Sequence, residues 1–522
     1  MSIHRKVTRP NTLFVALIFL AVGITYWKAL RLPYIADDWG FAWTFHNTPL
    51  GAMVRSILDF RGELVYRPLS HLYELLVYKI FGFNGLPSRL FLLFTHTINS
   101  LLVAGITKRL VKKDLIAYAS GLIYAVAVAI HLDPLSWAFT GVHDVMGAFF
   151  FFLSLWLFLD QHVVSSAVAY LVGILFKEAL VVLPLVLGGY YLLSAKDLPS
   201  WNGIKRICLT FLPFGIVFGA YIFVKSNGTS PFSLPASHPY VIDFWGKHIF
   251  RNLHSYAGWM LQAFFPFGAI KSVTFTFILN DVLLVAMFSF WILVRSRNAN
   301  AHNQLILLGF FLYWIVVGLL PVLVLVRQEY RYYATYSLPA FIAAALILFD
   351  NLLTSLRLSE RNKNILFILP ILLTLSLSTI QANKIFGEKL KYRTLTDGTN
   401  LLIQRAAVVD IVQAGLIKYL PSPPDGSIIL LGNVDLWAFD KNTGIRLWYD
   451  NNSLNVYPLE SLKQDENGIY IQNPIENQLE AWIGSSTNKK YIDPGKSFAY
   501  KLTGTKLTPV SLESIFTISN NG

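Results

Sequence analysis

Apolar runs close to the roughly 20 residues needed to cross a bilayer recur from the N-terminus to about residue 382. Short polar loops separate them. The pattern predicts about eleven spanning helices, over residues 12–30, 88–107, 115–130, 137–159, 163–176, 179–195, 207–224, 274–294, 304–326, 334–350 and 364–381. The first follows a basic start, His4-Arg5-Lys6 and Arg9, and has no small-residue cleavage site, so it reads as a retained helix. Lys108-Arg109, Lys112-Lys113, Arg295, Arg297, Arg357, Arg361 and Lys363 fall in alternate loops. Such loops stay on the cytoplasmic side, which predicts the N-terminus inside and the C-terminus outside.

Two stretches carry a narrower apolar stripe. Residues 69–81 place His71, Glu74 and Lys79 opposite an apolar face at helical spacing, and residues 251–266 are apolar and aromatic. Both suit helices lying in the interface.

Beyond residue 382 the pattern changes. Residues 383–419 read as helical and stop at Pro421-Ser422-Pro423-Pro424. Strand-like runs follow at Ser427–Leu431, Leu436–Phe439, Ile445–Tyr449, Gly468–Gln472 and Ser497–Leu502. Turn dipeptides such as Asp425-Gly426, Asn467-Gly468 and Pro494-Gly495 punctuate them. The division predicted is a transmembrane core, 1–382, and a small extracytoplasmic α+β domain, 383–522, suited to packing or docking. No repeat of 20–50 residues is visible.

Composition agrees. Of 522 residues, 54% are hydrophobic and 14% charged, against roughly 25% charged in soluble domains. The fold class is a polytopic α-helical membrane protein. A net charge of +13 would suggest nucleic acid in a soluble chain. Here the basic residues sit in topology-setting loops, and no nucleic-acid partner is expected. The single cysteine, Cys208, excludes an intramolecular disulfide and a cysteine-based metal site.

The chemistry centres on Tyr34-Ile35-Ala36-Asp37-Asp38-Trp39, where the chain leaves the first span. Charge beside a bilayer is costly and tends to be paired, wet or functional; a solvated acidic loop is the plain alternative. The outer helix ends also collect Arg67, His131, Asp133, His143, Asp144, Lys177, Glu178, Arg327, Glu329 and Arg331. Carboxylates and cations on one side of a membrane suit transfer from a phosphate-bearing lipid to an acceptor hydroxyl or amide. A carboxylate takes the acceptor's proton, and Arg or Lys neutralises the leaving phosphate. The plain alternative for each cation is snorkelling to headgroups. A flippase or transporter of lipid-linked sugars should show symmetric halves or polar residues at the midplane, whereas these midplane segments are apolar. A polysaccharide polymerase or ligase would use the same side and donor type.

The motifs support a resemblance. Asp37-Asp38, Tyr66-Arg67-Pro68-Leu69, Phe81-Gly82-Phe83-Asn84 and Phe94-Thr95-His96-Thr97-Ile98-Asn99 look like the N-terminal core of GT-C glycosyltransferases. The nearest are the protein O-mannosyltransferases and the TPR-containing transmembrane O-mannosyltransferases. His131-Leu132-Asp133-Pro134, Gly141-Val142-His143-Asp144, Phe176-Lys177-Glu178 and Glu329-Tyr330-Arg331 continue it in order over roughly residues 10–340. The family often has arginine at the place of His143, and no TPR array follows here.

The resemblance implies a polyprenyl-phosphate-linked sugar donor and a protein, lipid or glycan acceptor, beside membrane lipid. Asp37 would be the general base, Asp38 the second choice, and Asp144 the second acid. Arg67, Lys177 and Arg331 would contact the donor phosphate. His131, His143, Glu178 and Glu329 would line the substrate site, the histidines as hydrogen-bonders before metal ligands. No cofactor is required; a divalent Mg or Mn, if held, would sit on Asp37 and Asp38. The expected location is a bacterial inner membrane, with the site facing the periplasm.

Overall fold

The computed structural model describes residues 11–61, 65–194, 200–227, 234, 238–266, 301–356, 358–387, 400–472, 474 and 489–512. The chain is mostly helical, with a β-containing C-terminal region. The helices are α1 (Thr12–Tyr26), α2 (Asp37–Asn47), α3 (Leu50–Leu58), α4 (Pro68–Phe81), α5 (Leu86–Val111), α6 (Asp114–Ala125), α7 (Val128–Ser136), α8 (Gly141–Leu159) and α9 (Val163–Phe176). They continue with α10 (Leu183–Ser194), α11 (Trp201–Ser226), α12 (Lys247–Leu261), α13 (Ala301–Leu323), α14 (Leu338–Ser355), α15 (Glu360–Phe386), α16 (Leu401–Tyr419) and α17 (Thr443–Tyr449).

Among the described residues, seven helices are long and apolar enough to cross a membrane: Thr12–Arg31, Leu86–Val111, Gly141–Leu159, Trp201–Ser226, Gln304–Leu323, Leu338–Ser355 and Glu360–Phe386. Two shorter apolar helices, Val163–Phe176 and Glu178–Ser194, accompany them. The helix expected over 274–294 lies outside the described residues. The helix expected over 115–130 is two, α6 and α7, meeting at 49°. The kink falls at Val126-Ala127, with neither glycine nor proline to signal it. Side-chain caps mark several starts: Asn11, Ser200, Ser359 and Asn400 each accept a backbone N–H from the first turn that follows.

The first loop does not hang free. It folds into α2, α3 and α4, and these share one hydrophobic core with the C-terminal region. Trp39, Ala42, Phe45 and Met53 pack with Val409, Val412, Leu416, Ile429, Phe439 and Tyr500. Trp39 meets Trp448 edge-on at 5.5 Å. Across the polar rim, Trp43 Nε1 donates to Asn452 Oδ1 at 3.1 Å and Asn452 Nδ2 to Asn47 Oδ1 at 2.7 Å.

The C-terminal strands are β1 (Ile428–Gly432), β2 (Asn455–Pro458), β3 (Leu462–Asp465), β4 (Gly468–Gln472), β5 (Lys489–Tyr491), β6 (Ser497–Thr503) and β7 (Lys506–Val510). One sheet runs β2-β1-β6-β7, parallel except for β6-β7; the other is the antiparallel β3-β4-β5. Strands at 427–431, 468–472 and 497–502 match expectation. Two expected strands are helical instead: Leu436–Phe439 is a 3-10 turn, and Ile445–Tyr449 belongs to α17. The cause is local. Asp435 accepts from Trp437 N, starting a turn, while Asp440 and Asp450 take left-handed backbone that closes each element. Those caps override the β-prone aromatic content.

Candidate active site

The two adjacent aspartates have opposite environments. Asp38 is fully buried. Its Oδ1 accepts from Phe139 N at 2.8 Å and Thr140 N at 3.4 Å; its Oδ2 accepts from Ala138 N at 3.0 Å and Ile35 N at 3.2 Å. Burial pushes its pKa up, and Arg89 with these amides offsets part of that rise. Arg89 cinches the same corner, donating to the carbonyls of Leu32, Pro33 and Ser136. Asp38 therefore ties the first loop to the turn that leads into α8.

Asp37 opens α2 and is exposed. Its carboxylate has no hydrogen bond or ion pair among the described residues. Although solvent reaches it, protein surrounds it. Its pKa is pushed up to about 6 by burial first, then by the charges of Asp440 and Asp38, with Arg405 pulling the other way. Surface exposure and this environment agree if the carboxylate stands in a recess that water enters. Tyr240 and Tyr330 also lie within electrostatic reach of Asp37.

The backbone before Asp37 is unusual. Ala36 has φ 52° and ψ −121°, a conformation that non-glycine residues rarely take. Its N–H donates to Ala438 O at 3.0 Å. Strain of this kind persists where surrounding structure over-determines it, and it clusters at functional sites.

Two of the expected phosphate-binding cations are engaged internally. Arg67 grips Glu178 in a fork, Nε to Oε2 at 2.6 Å and Nη2 to Oε1 at 2.5 Å. Lys177 Nζ lies 3.0 Å from Asp144 Oδ1, both groups buried. Arg331 is exposed, with its guanidinium 5.8 Å over the Trp259 ring, and it forms no salt bridge among the described residues. It reaches Asp133 electrostatically, and Asp133 accepts from Asn400 Nδ2 at 2.6 Å. Glu329 faces Arg251 at 3.6 Å.

The histidines sit deeper. His131 is buried, with its ring 4.5 Å from both His96 and Tyr124. His143, also buried, places Nε2 3.1 Å from Glu74 Oε1.

Tyr240 lies within electrostatic reach of Asp37, Arg67 and Glu178 alike, and Arg331 reaches Asp133 on the same side of α7 as Tyr330. Asp38 and His131 remain buried contacts. Sequence reasoning gave no role to Glu74, Arg89, Tyr240, Arg405 or Asp440. Only Glu74 carried a local signal, three residues after His71 on one helix face. The aspartate pair does not fit a shared Mg or Mn: both Asp38 oxygens are already met by N–H donors, which face where a cation would have to stand.

No family model and no curated protein matches this chain. ArnT from Cupriavidus metallidurans in the apo state aligns at TM-score 0.44 and 13% identity, covering 98% of this chain and 94% of that one. ArnT bound to undecaprenyl phosphate aligns at 0.44 over 85% of each chain. The Archaeoglobus fulgidus oligosaccharyltransferase tethered to an acceptor peptide aligns at 0.43 and 12% identity, covering 85% of this chain and 64% of that one. Likeness at this level assigns neither fold family nor activity.

Proposed function

We propose that this protein is an integral-membrane glycosyltransferase that moves a sugar from a polyprenyl-phosphate-linked donor to an acceptor nucleophile on the face carrying the first loop. The observation that carries the reading is Asp37: an accessible, unpaired carboxylate on a held, strained turn, with its basicity raised. A general base works best when its pKa lies near the operating pH. The motif resemblance to GT-C enzymes supports the same assignment.

In the proposed step the acceptor's O–H or N–H approaches Asp37. Its heteroatom attacks the anomeric carbon from the face opposite the phosphate, and the proton passes to the Asp37 carboxylate. The bond from anomeric carbon to phosphate oxygen breaks, its electron pair leaves with the polyprenyl phosphate, and configuration inverts. Arg331 meets the leaving phosphate. Arg67 and Lys177 hold the walls through Glu178 and Asp144. Asp38 is a positioning residue that fixes the turn.

The test is transfer by the purified protein from a panel of polyprenyl-phosphate sugars, followed as released polyprenyl phosphate by mass spectrometry. Product from wild type and none from Asp37→Asn supports the reading. Movement of the lipid-linked sugar across vesicles with no new glycosidic bond would replace it by a transporter.

A further inference from the structure

Beneath α2 three metal-ligating side chains converge. His71 and Glu74 project from one face of α4, and His143 from the first turn of α8. Their ligating atoms all lie within 4.8 Å of one another. Glu74 and His143 are buried, while His71 keeps partial contact with solvent. We propose that His71 Nδ1, Glu74 and His143 Nε2 form a zinc site that clamps α4 to α8. The proposal does not rest on the transferase reading.

Geometry is the first argument. His71 Nδ1 stands 2.8 Å from Glu74 Oε2, and His143 Nε2 stands 3.1 Å from Glu74 Oε1. Zinc bonds of 2.0–2.2 Å set neighbouring tetrahedral donors about 3.3 Å apart. The two Glu74 contacts therefore need to open by only a few tenths of an ångström, and the whole set, already within 4.8 Å, would draw the two imidazoles toward a common ion. The 3.1 Å contact is also not aligned as a hydrogen bond, and Glu74 Oε1 is left as a buried acceptor without a partner. Two atoms that approach closely without pointing at each other are what two ligands facing a common third point would show.

Charge is the second argument. An isolated buried carboxylate is expensive. Arg67 and Lys177, the nearby permanent cations, are spent on Glu178 and Asp144. Glu74 faces imidazoles. A divalent cation would neutralise it and accept both imidazole lone pairs.

The donor set chooses the metal. Two imidazoles and one carboxylate favour zinc and its first-row neighbours over magnesium or calcium, which prefer all-oxygen shells. Three protein ligands leave a fourth position for water. The consequence is mechanical. Phe41 rests 5.3 Å from His71 and 6.5 Å from His143, one helical turn beyond Asp37. A metal there would brace the layer on which α2 sits.

The experiment uses the full chain in detergent, stripped by dialysis against a chelator and titrated with Zn²⁺ in competition with a chromophoric zinc indicator. One zinc per chain is expected, undisturbed by excess Mg²⁺. Co²⁺ in its place should give the intense visible bands of a tetrahedral ion. His71→Ala and Glu74→Gln should weaken binding by about 10–100-fold or more, since loss of a supporting group alone costs that much. His71 Nδ1 bonds the buried Glu74 carboxylate, so apo His71→Ala should melt below the apo wild type while its circular dichroism spectrum shows the helices intact. Absence of stoichiometric Zn²⁺ binding in the wild type overturns the site, as does unchanged binding in a folded His71→Ala. The cluster is then a hydrogen-bonded His–Glu–His group only. Should every variant misfold, the wild-type stoichiometry and Co²⁺ spectrum still decide.

Discussion

The N–H of Ala36 donates to the carbonyl of Ala438 at 3.0 Å. This bond fastens the strained residue just before Asp37 to a turn some 400 residues later in the chain. Close by, the Asp440 carboxylate lies against Gly40, where a Cβ would meet its Oδ2 at 2.3 Å and displace it. The C-terminal region therefore forms part of the wall around Asp37. Arg405, near the start of α16, is held by Asp435 at 2.7 Å and lies on the same side.

A common core requires a common side of the membrane. Reporter fusions after residue 60 and after residue 420 should give the same reading, on the face opposite the N-terminus. Opposite readings at the two points would break both the expected topology and the shared core of Trp39 with Phe439.

Asp38 and Asp37 should fail in different ways when made asparagine. Asp38→Asn puts a neutral amide, with its own N–H₂, among four backbone donors. One oxygen position becomes a donor facing donors. The expected loss is about 1–3 kcal/mol of stability, the cost of unsatisfied buried groups, visible as poor yield and a lower melting temperature. Asp37→Asn meets no such donors and should fold normally, while transfer falls by about 10²–10⁴-fold. Equal melting temperatures for the two variants would remove the distinction.

That distinction was not legible in the sequence. The adjacent carboxylates marked the place, and the helical pattern found most of the bundle around it. Which of the two would be buried depended on amides at Ala138, Phe139 and Thr140, a hundred residues away. The same limit hid the partners of Arg67 and Lys177: their charge was visible, but not that Glu178 and Asp144 would take it up. The break at Val126-Ala127 lacked any local signal. At Leu436–Phe439 and Ile445–Tyr449 the signal existed in Asp435, Asp440 and Asp450, but the β-prone side chains pointed the other way.

Arg67 and Arg331 should separate structure from binding. Arg67→Ala abandons the Glu178 carboxylate. Breaking a fully buried pair costs about 3–5 kcal/mol. With a third of Glu178 still open to solvent, about 1–3 kcal/mol is expected, read as a lower melting temperature. Arg67→Met with Glu178→Met should recover much of it. Arg331→Ala should leave melting unchanged and weaken polyprenyl phosphate binding by about 10–150-fold, the worth of one charge-assisted bond. If only Arg67→Ala weakened lipid binding, with melting unchanged, the two roles would be reversed.

The pH dependence of Asp37 carries opposite signs for activity and stability. As a base it must be ionised, so transfer should rise with pH through about 6 and level off above. Asp440→Asn removes one of the charges that raise this pKa, so its acid limb should move to lower pH. Stability runs the other way. An aspartate in the unfolded chain ionises near 3.9, and the folded value is higher. The folded state therefore binds the proton more tightly. The resulting stabilisation is complete below the unfolded pKa and is lost as pH rises through about 6. At neutral pH the wild type carries an ion that its surroundings disfavour, and Asp37→Asn does not. The inactive variant should melt above the wild type at pH 7, and the gap should close as pH falls toward about 4. A gap of the same size at both pH values would show that Asp37 titrates as an ordinary surface carboxylate, and the raised basicity on which its role as base depends would be gone.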